Sequence, residues 1–535
     1  CCVCDGNSID VNTSSGSVRG QTLHVLNRKI HQFLNIPYAE PPLGPLRFAP
    51  PLPLKAPKQG IIDGTKSGND CIQKIPKFGV LTGNEMISED CLVLNIWTPN
   101  VDNNDDNHQK VGLKPVMFWI YGGALSTGSI FMDKFNGSVL STNDVVVVTV
   151  NYRVGPLGFL YGGDETAPGN AGFYDQLLAL KWVRENIHLF GGDRDQMTIF
   201  GESAGSWSVS AHILSPLSKG LFKRAIMQSG SLMYNRDRPA LSTIEGLQRA
   251  KHLARSLNCD EFDYKWLDCL RAIDDPNLFI ETPENGNIII MTHAVFGTQF
   301  LSVLPQKLIF KTDIEVMAGV VKDEGPLLTH GLFPEMRSEM TAQLFYKVVR
   351  DLSREYHNID VNEVCDYYLK GVHKTNSSQL KAAFNELYGD LVITCPTYYF
   401  AKRLATSGRK QRSNVAVCKG GLVCHGADVD FVFGYPLRNP TLFTETDYDF
   451  SIDVMKMWTN FAKTGKAHDV WPQLWDKSVI RVKDLNPNDI KAHDVWPQLW
   501  DKSVVRVKDL NPNDMSLILD NPYESTCDGI WKHYF

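Results

Sequence analysis

The run Gly201-Glu202-Ser203-Ala204-Gly205 has the residue types and spacing for nucleophilic chemistry. A G-x-S-x-G run becomes a nucleophile elbow when a strand enters it and a helix leaves it. Upstream, Met197-Thr198-Ile199-Phe200 is short, apolar and β-branched, as a buried strand end is. From Ser203 to Leu214, small residues give way to apolar ones at helical spacing. Gly201 and Gly205 fit a turn that strains the serine and brings two backbones close. A serine hydroxyl is a weak nucleophile until a base takes its proton. The chain must therefore supply a histidine, an acid to orient it, and N–H donors aimed at the developing oxyanion.

The other parts occur in the order serine, acid, histidine that this elbow uses. Glu324 stands 121 residues after Ser203, just beyond the apolar strand Ile314 to Val321. Catalytic groups of open α/β sheets sit at such C-terminal strand ends. Asp323 is its neighbour, and spacing alone leaves the choice between them open. Among 14 histidines the best candidate base is His425, in Cys424-His425-Gly426-Ala427-Asp428. His330 also follows Glu324 but is too close in sequence to come from a separate loop. Gly122-Gly123-Ala124 ends a strand, where glycine lets N–H groups point into a site, and Ala204 follows the nucleophile.

The elements that must position these groups alternate along the chain. Pro115 to Tyr121 and Asp144 to Tyr152 are strong strands, the second a near-continuous β-branched run. A helix is expected from about Asn170 to Asn186, then the elbow strand, its helix, and the strand Ala225 to Gln228. This alternation argues for an α/β fold with a large, mostly parallel central sheet covered by helices on both faces. Residues 15 to 60 read as a small strand pair and a proline-stiffened loop. Thr243 to Leu257, Tyr264 to Ala272 and much of 338 to 406 read as helical. Lys466 to Ile490 reappears as Lys491 to Met515, changed only at Ile480/Val505 and Ile490/Met515. Two near-identical copies read as a recent duplication or a sequence-assembly error, not a solenoid.

Composition narrows the class. A net charge of −6 over 535 residues argues against nucleic acid and gives no pull toward an anionic membrane. No run of about 18 apolar residues occurs, so no membrane-spanning helix is expected. There are 12 cysteines, and Cys71 with Cys91 and Cys259 with Cys269 fall in local pairs. That pattern, with sequons at Asn12, Asn136 and Asn376, favours a secreted, glycosylated protein. The start at Cys1-Cys2-Val3-Cys4 reads as already processed, and the end at His533-Tyr534-Phe535 carries no anchor or long amphipathic tail.

Longer phrases carry a resemblance. Phe190-Gly191-Gly192-Asp193 through Gly205, Glu89-Asp90-Cys91-Leu92, Asn151 to Phe159, and Asp323-Glu324-Gly325 are similar to signatures of the type B carboxylesterase/cholinesterase family of α/β hydrolases. The resemblance covers nearly the whole chain and implies one α/β-hydrolase domain over 1–535. It implies Ser203 as nucleophile, Glu324 rather than Asp323 as acid, His425 as base, and Gly123, Ala124 and Ala204 as oxyanion donors. It further implies disulfides Cys71–Cys91, Cys259–Cys269 and Cys395–Cys527, and structural ion pairs Arg47–Glu89 and Arg153–Asp175. Cys1, Cys2, Cys4, Cys365, Cys418 and Cys424 stay unassigned.

The expected substrate is a small carboxylic ester, with no cofactor and no metal, the oligomeric state being left open. Family members that hydrolyse choline esters carry a tryptophan ten residues before the second cysteine of the first loop, for cation–π contact. Here that position is Leu81, and a second choline-contacting aromatic is replaced by Leu327. Phe296 and Phe300 are the candidates for an acyl pocket. The segment Val415 to Gly421 before His425 is shorter than the family's. A carboxylesterase-like activity is therefore expected, with a cholinesterase as first alternative and a non-catalytic, neuroligin-like adhesion relative as second.

Overall fold

The β-branched run around Val146 forms a strand, Val146–Val150, whose five residues are all buried. Branching at Cβ restricts χ1 and favours pleated backbone, and burial on both faces removes any need for polar alternation. The computed structural model describes residues 3–74, 86–101, 112–233, 241–281, 292–307, 313–355, 359–406, 411–412, 424–467, 481–482, 506–508, 518–520 and 523–535. The chain divides into two units, the first comprising 1–226, 239–304 and 429–465, the second 227–238, 305–428 and 466–535.

The first unit is built on a mixed sheet. Its strands are β1 (Val3–Thr13), β2 (Gly16–Val25), β3 (Arg28–Pro37), β4 (Val93–Thr98), β5 (Lys114–Ile120), β6 (Val146–Val150), β7 (Gly192–Glu202) and the start of β8 (Arg224–Gln228). They lie in the order β1-β2-β3-β4-β6-β5-β7-β8. Pairing is antiparallel from β1 through β4 to β6, then parallel for β6/β5 and β5/β7. The expectation of a mostly parallel sheet thus holds around the nucleophile, and the N-terminal strands make the sheet mixed. Short links between β1, β2 and β3 explain this, since a tight turn returns the chain antiparallel while a parallel neighbour needs a long crossover. Helices α1 (Ala171–Asn186), α2 (Ala204–Leu214) and α3 (Glu445–Thr464) pack against β5 and β7. Thr444 and Asp447 form a reciprocal capping box at the start of α3, and Gly465 ends it at φ 74°.

Two stapled loops in this unit share one guanidinium. Cys71–Cys91 and Cys259–Cys269 are disulfides. Arg47 binds Glu89 of the first loop bidentately at 2.7 Å and also donates to the carbonyls of Leu270, Arg271 and Ile273. Arg153 grips Asp175 in the same fork geometry, at 2.8 and 2.6 Å. Arg47, Arg153 and Asp175 are buried and Glu89 nearly so, so each ion pair compensates a charge that would otherwise be costly to desolvate.

The second unit is mainly helical, as the 338 to 406 pattern indicates. Its strand β9 (Glu315–Gly319) pairs in parallel with Gln411–Arg412. Helices α4 (Gly325–Leu332), α5 (Ala342–Glu355), α6 (Val361–Tyr368), α7 (Ser377–Gly389) and α8 (Cys395–Thr406) surround a core that includes Phe345, Phe384, Leu387 and Trp531. A π-helical turn, Asp390–Thr394, joins α7 to α8, and Cys395–Cys527 staples α8 to the chain's end. Cys365 is buried, its thiol pushed up to about 12, mainly by desolvation. Cys1, Cys2 and Cys418 lie outside the described residues. Most of the tandem repeat does as well. The equivalent pieces Arg481–Val482 and Arg506–Lys508 flank Ile518–Asp520, one parallel and one antiparallel.

Candidate active site

The elbow forms where the sequence places it. β7 runs to Glu202, Ser203 takes φ 57° and ψ −123°, and α2 begins at Ala204. A side-chain-bearing residue at that backbone geometry is strained, and such strain persists only where neighbours enforce it. The enforcement is visible at both glycines. A Cβ on Gly205 would lie 2.0 Å from the Ile120 carbonyl oxygen, and one on Gly201 would lie 2.5 Å from the Gly205 carbonyl carbon. The end of β5, the end of β7 and the first turn of α2 therefore pack so closely that only hydrogen fits.

Gly122, two residues past β5, lies against the elbow: a Cβ there would meet the Glu202 carbonyl at 2.5 Å and Ser203 Cβ at 2.9 Å. Gly123 and Ala124 follow in left-handed backbone, at φ 119° and 57°. Ala204 heads α2, and the first N–H groups of a helix have no intrahelical acceptor and carry its positive end. The three expected oxyanion donors thus belong to the two segments that meet at Ser203, all within the first unit. Gln73, in the Cys71–Cys91 loop, takes hydrogen bonds to both N and O of Gly128 at 2.8 Å, fixing the far end of the glycine loop.

In the second unit the structure brings Glu324 and His425 together. His425 Nδ1 and Glu324 Oε2 are 2.5 Å apart, with side chains 6% and 1% exposed. The other oxygen, Oε1, accepts the Val321 N–H at 2.8 Å. A carboxylate beside Nδ1 holds the ring proton there and leaves Nε2 as the basic nitrogen. Asp323, which spacing leaves open, forms a backbone bridge with Cys424, and this sets Glu324 level with His425. His330 stays on α4, exposed, with Nδ1 3.2 Å from the Pro326 carbonyl. Gly325 and Gly389 bring α7 onto the acid's turn, since a Cβ on Gly325 would sit 1.7 Å from the Asn385 carbonyl oxygen. Thr329 and Asn385 add a 2.5 Å side-chain bond across the same contact.

Sequence reading missed several supporting groups. Glu202 precedes the nucleophile, is buried, and would put a carboxylate oxygen 3.0 Å from a Cβ on Gly122. Asp428, one turn after His425, accepts from Gln228 Nε2 at 2.6 Å. Glu202 and Asp428 were within quoted motifs, so proximity to Ser203 and His425 was the available signal. Leu327 is 54% exposed, whereas Phe296 and Phe300 are buried. Phe300 packs its ring against Phe173, Tyr174 and His212, a core position. Leu81 and Val415 to Gly421 lie outside the described residues. The sequon asparagines Asn12 and Asn376 are exposed, and Asn136 is partly so. Among the described residues no group of three or more His, Cys, Asp or Glu could hold a metal ion, and no helix is long and apolar enough to cross a membrane.

The model of the carboxylesterase family matches residues 7–522, across both units. An acetylcholinesterase of Leptinotarsa decemlineata is 33% identical over 511 residues, 86% of this chain and 80% of that protein. An acetylcholinesterase of Bungarus fasciatus is 35% identical over 504 residues, 87% of this chain and 80% of that protein.

Proposed function

This chain belongs to the carboxylesterase family and is a carboxylic ester hydrolase, and on that premise we propose a Ser203–Glu324–His425 triad acting through an acyl-enzyme with carboxylesterase-like specificity. The observations that support the triad are the buried 2.5 Å contact between Glu324 and His425 in the second unit and, separately, the strained Ser203 of the elbow in the first.

Ser203 Oγ attacks the ester carbonyl carbon while His425 Nε2 takes the hydroxyl proton. The carbonyl oxygen becomes an oxyanion that the N–H groups of Gly123, Ala124 and Ala204 receive. Collapse expels the alcohol, which takes the proton from His425, and leaves Ser203 acylated. Water then attacks the acyl-enzyme as His425 removes its proton, and a second oxyanion collapses to release the acid and restore Ser203. Glu324 orients the imidazole and stabilises its protonated form throughout.

The relatives named acetylcholinesterase favour a second reading, hydrolysis of choline esters. Against it stand Leu81 and Leu327, aliphatic where a quaternary ammonium needs an aromatic face. Comparing kcat/KM for acetylcholine with that for its uncharged carbon isostere separates the two. A ratio near one supports the carboxylesterase-like reading. A ratio of about 10 or more, the scale of a desolvated cation–π contact, overturns it. Hydrolysis of a simple aryl ester excludes a non-catalytic adhesion role. The three disulfides and the exposed Asn12 and Asn376 favour an extracellular, glycosylated protein, and intact-mass loss after deglycosylation tests that.

A further inference from the structure

The loop after β5 holds three consecutive residues at positive φ: Gly123 at 119°, Ala124 at 57° and Leu125 at 57°. Glycine adopts that region freely, but Ala124 and Leu125 carry Cβ atoms that oppose it. Something outside the local chain must hold them. The hydrogen bonds identify it, because the carbonyl of each of the three residues has a partner. Gly123 O accepts the N–H groups of Ser126 and Thr127, both at 3.0 Å. Leu125 O accepts the Gly155 N–H at 2.7 Å. Ala124 O accepts the Thr292 N–H at 3.1 Å and the Ser126 hydroxyl at 3.2 Å.

Ser126 and Thr292 are 166 residues apart and also bind each other. Their hydroxyl oxygens are 2.8 Å apart, and the Thr292 N–H reaches Ser126 Oγ at 3.0 Å. One proton assignment satisfies these contacts together: Ser126 donates to Ala124 O, and Thr292 donates its hydroxyl proton to Ser126 Oγ. We infer that Ser126 and Thr292 are positioning residues of the oxyanion loop, clasping the Ala124 carbonyl so that the Ala124 N–H stays aimed at the developing oxyanion. The peptide plane supplies the coupling. The Ala124 N–H lies opposite the Gly123 carbonyl in one rigid unit, and the Ala124 carbonyl fixes the next unit. With both carbonyls tied, φ and ψ of Ala124 cannot relax toward the right-handed region, which would swing its N–H away. Neither side chain is assigned a contact with the ester; both act through the Ala124 backbone. This inference rests on the serine-esterase reading of the same site.

The test compares aryl-ester kinetics of wild type, Ser126→Ala, Thr292→Val and Thr292→Ser. Thr292→Val keeps the shape and the backbone donor but loses the hydroxyl, whereas Thr292→Ser keeps both donors. Thr292→Val should lower kcat about tenfold with KM within about twofold, because a misaimed donor acts on the transition state more than on the bound ester. Ser126→Ala should lower it at least as much. Thr292→Ser should restore kcat to within about threefold of wild type. Affinity for a trifluoromethyl ketone, which mimics the oxyanion, should fall by the same factor as kcat/KM. An unchanged kcat in Thr292→Val, or a loss that Thr292→Ser shares, overturns the inference. Stoichiometric labelling of wild-type Ser203 by an organophosphate separates the two levels: if the wild type is neither labelled nor active, the esterase reading itself fails.

Discussion

The region of the proposed nucleophile and that of the proposed base secure their groups by different means. Around Ser203 the constraint is backbone against backbone: a serine at φ 57°, left-handed residues at 123 to 125, and glycines whose Cβ would strike neighbouring main chain. Around His425 the constraint is a buried hydrogen-bonded chain, from the Val321 N–H to Glu324 to the imidazole. The difference follows from the task. An oxyanion hole needs donors fixed before the charge appears. The proposed base must be protonated and deprotonated twice per turnover, so it needs a partner that holds it through both states.

Substitutions can break that contrast. The largest effect belongs to Ser203→Ala, which should remove on the order of 10⁴-fold or more of kcat with little change in folding. Glu324→Gln is next. It keeps size but loses the charge beside Nδ1, so kcat should fall by about 10⁴-fold at neutral pH. An activity loss under tenfold for either change would mean that another residue fills the role. Glycine changes probe the packing instead. Gly205→Ala should cost about 1–3 kcal/mol in a denaturant titration, through overpacking on the Ile120 carbonyl. Gly331→Ala, where an added Cβ meets nothing within 4 Å, should be neutral or stabilise by up to about 1 kcal/mol. Equal effects at the two positions would contradict a backbone-built first region.

The smallest effect concerns pH. Asp390 sits in the π-helical turn beside α7, and its carboxyl is pushed up to about 7, mainly by desolvation. Its Oδ2 accepts the Tyr368 hydroxyl at 2.8 Å, and Trp531 Nε1 donates to that hydroxyl at 2.7 Å. An unfolded aspartate titrates near 4, so between about 4 and 7 the folded chain binds the extra proton. Its contribution to stability is full below about pH 4 and is lost as pH rises toward 7. Asp390→Asn should therefore flatten the fall in Tm over that interval. If the Tm profile of the variant parallels that of wild type, Asp390 does not carry this dependence.

How much was legible in the sequence depended on distance along the chain. The elbow, β5, β6 and α1 declare themselves through apolar runs and glycine spacing that a short window contains. β1 went unread although Ile9 and Val11 alternate with the exposed Asp10 and Asn12, because its Asp, Asn and Gly residues have low strand propensity. The choice of Glu324 over Asp323 is invisible to spacing, since both neighbours end the same strand. What supports the proposed choice is a backbone bridge between Asp323 and Cys424, 101 residues apart in sequence, which leaves Glu324 to reach His425. The Ser126–Thr292 clasp carries no local signal at all, because isolated hydroxyl residues are common and only folding brings these two into contact. The mixed sheet was hidden for a related reason: strand patterns give burial, but direction is set by which strands become neighbours.

The most direct measurement is intact-mass and peptide mapping of the protein after reaction with an organophosphate, alongside its aryl-ester hydrolysis. One adduct per chain on Ser203, with activity falling in proportion to labelling, is the expected result. Full hydrolysis after complete modification of Ser203, or an adduct on another residue that abolishes activity, would contradict a Ser203 acyl-enzyme.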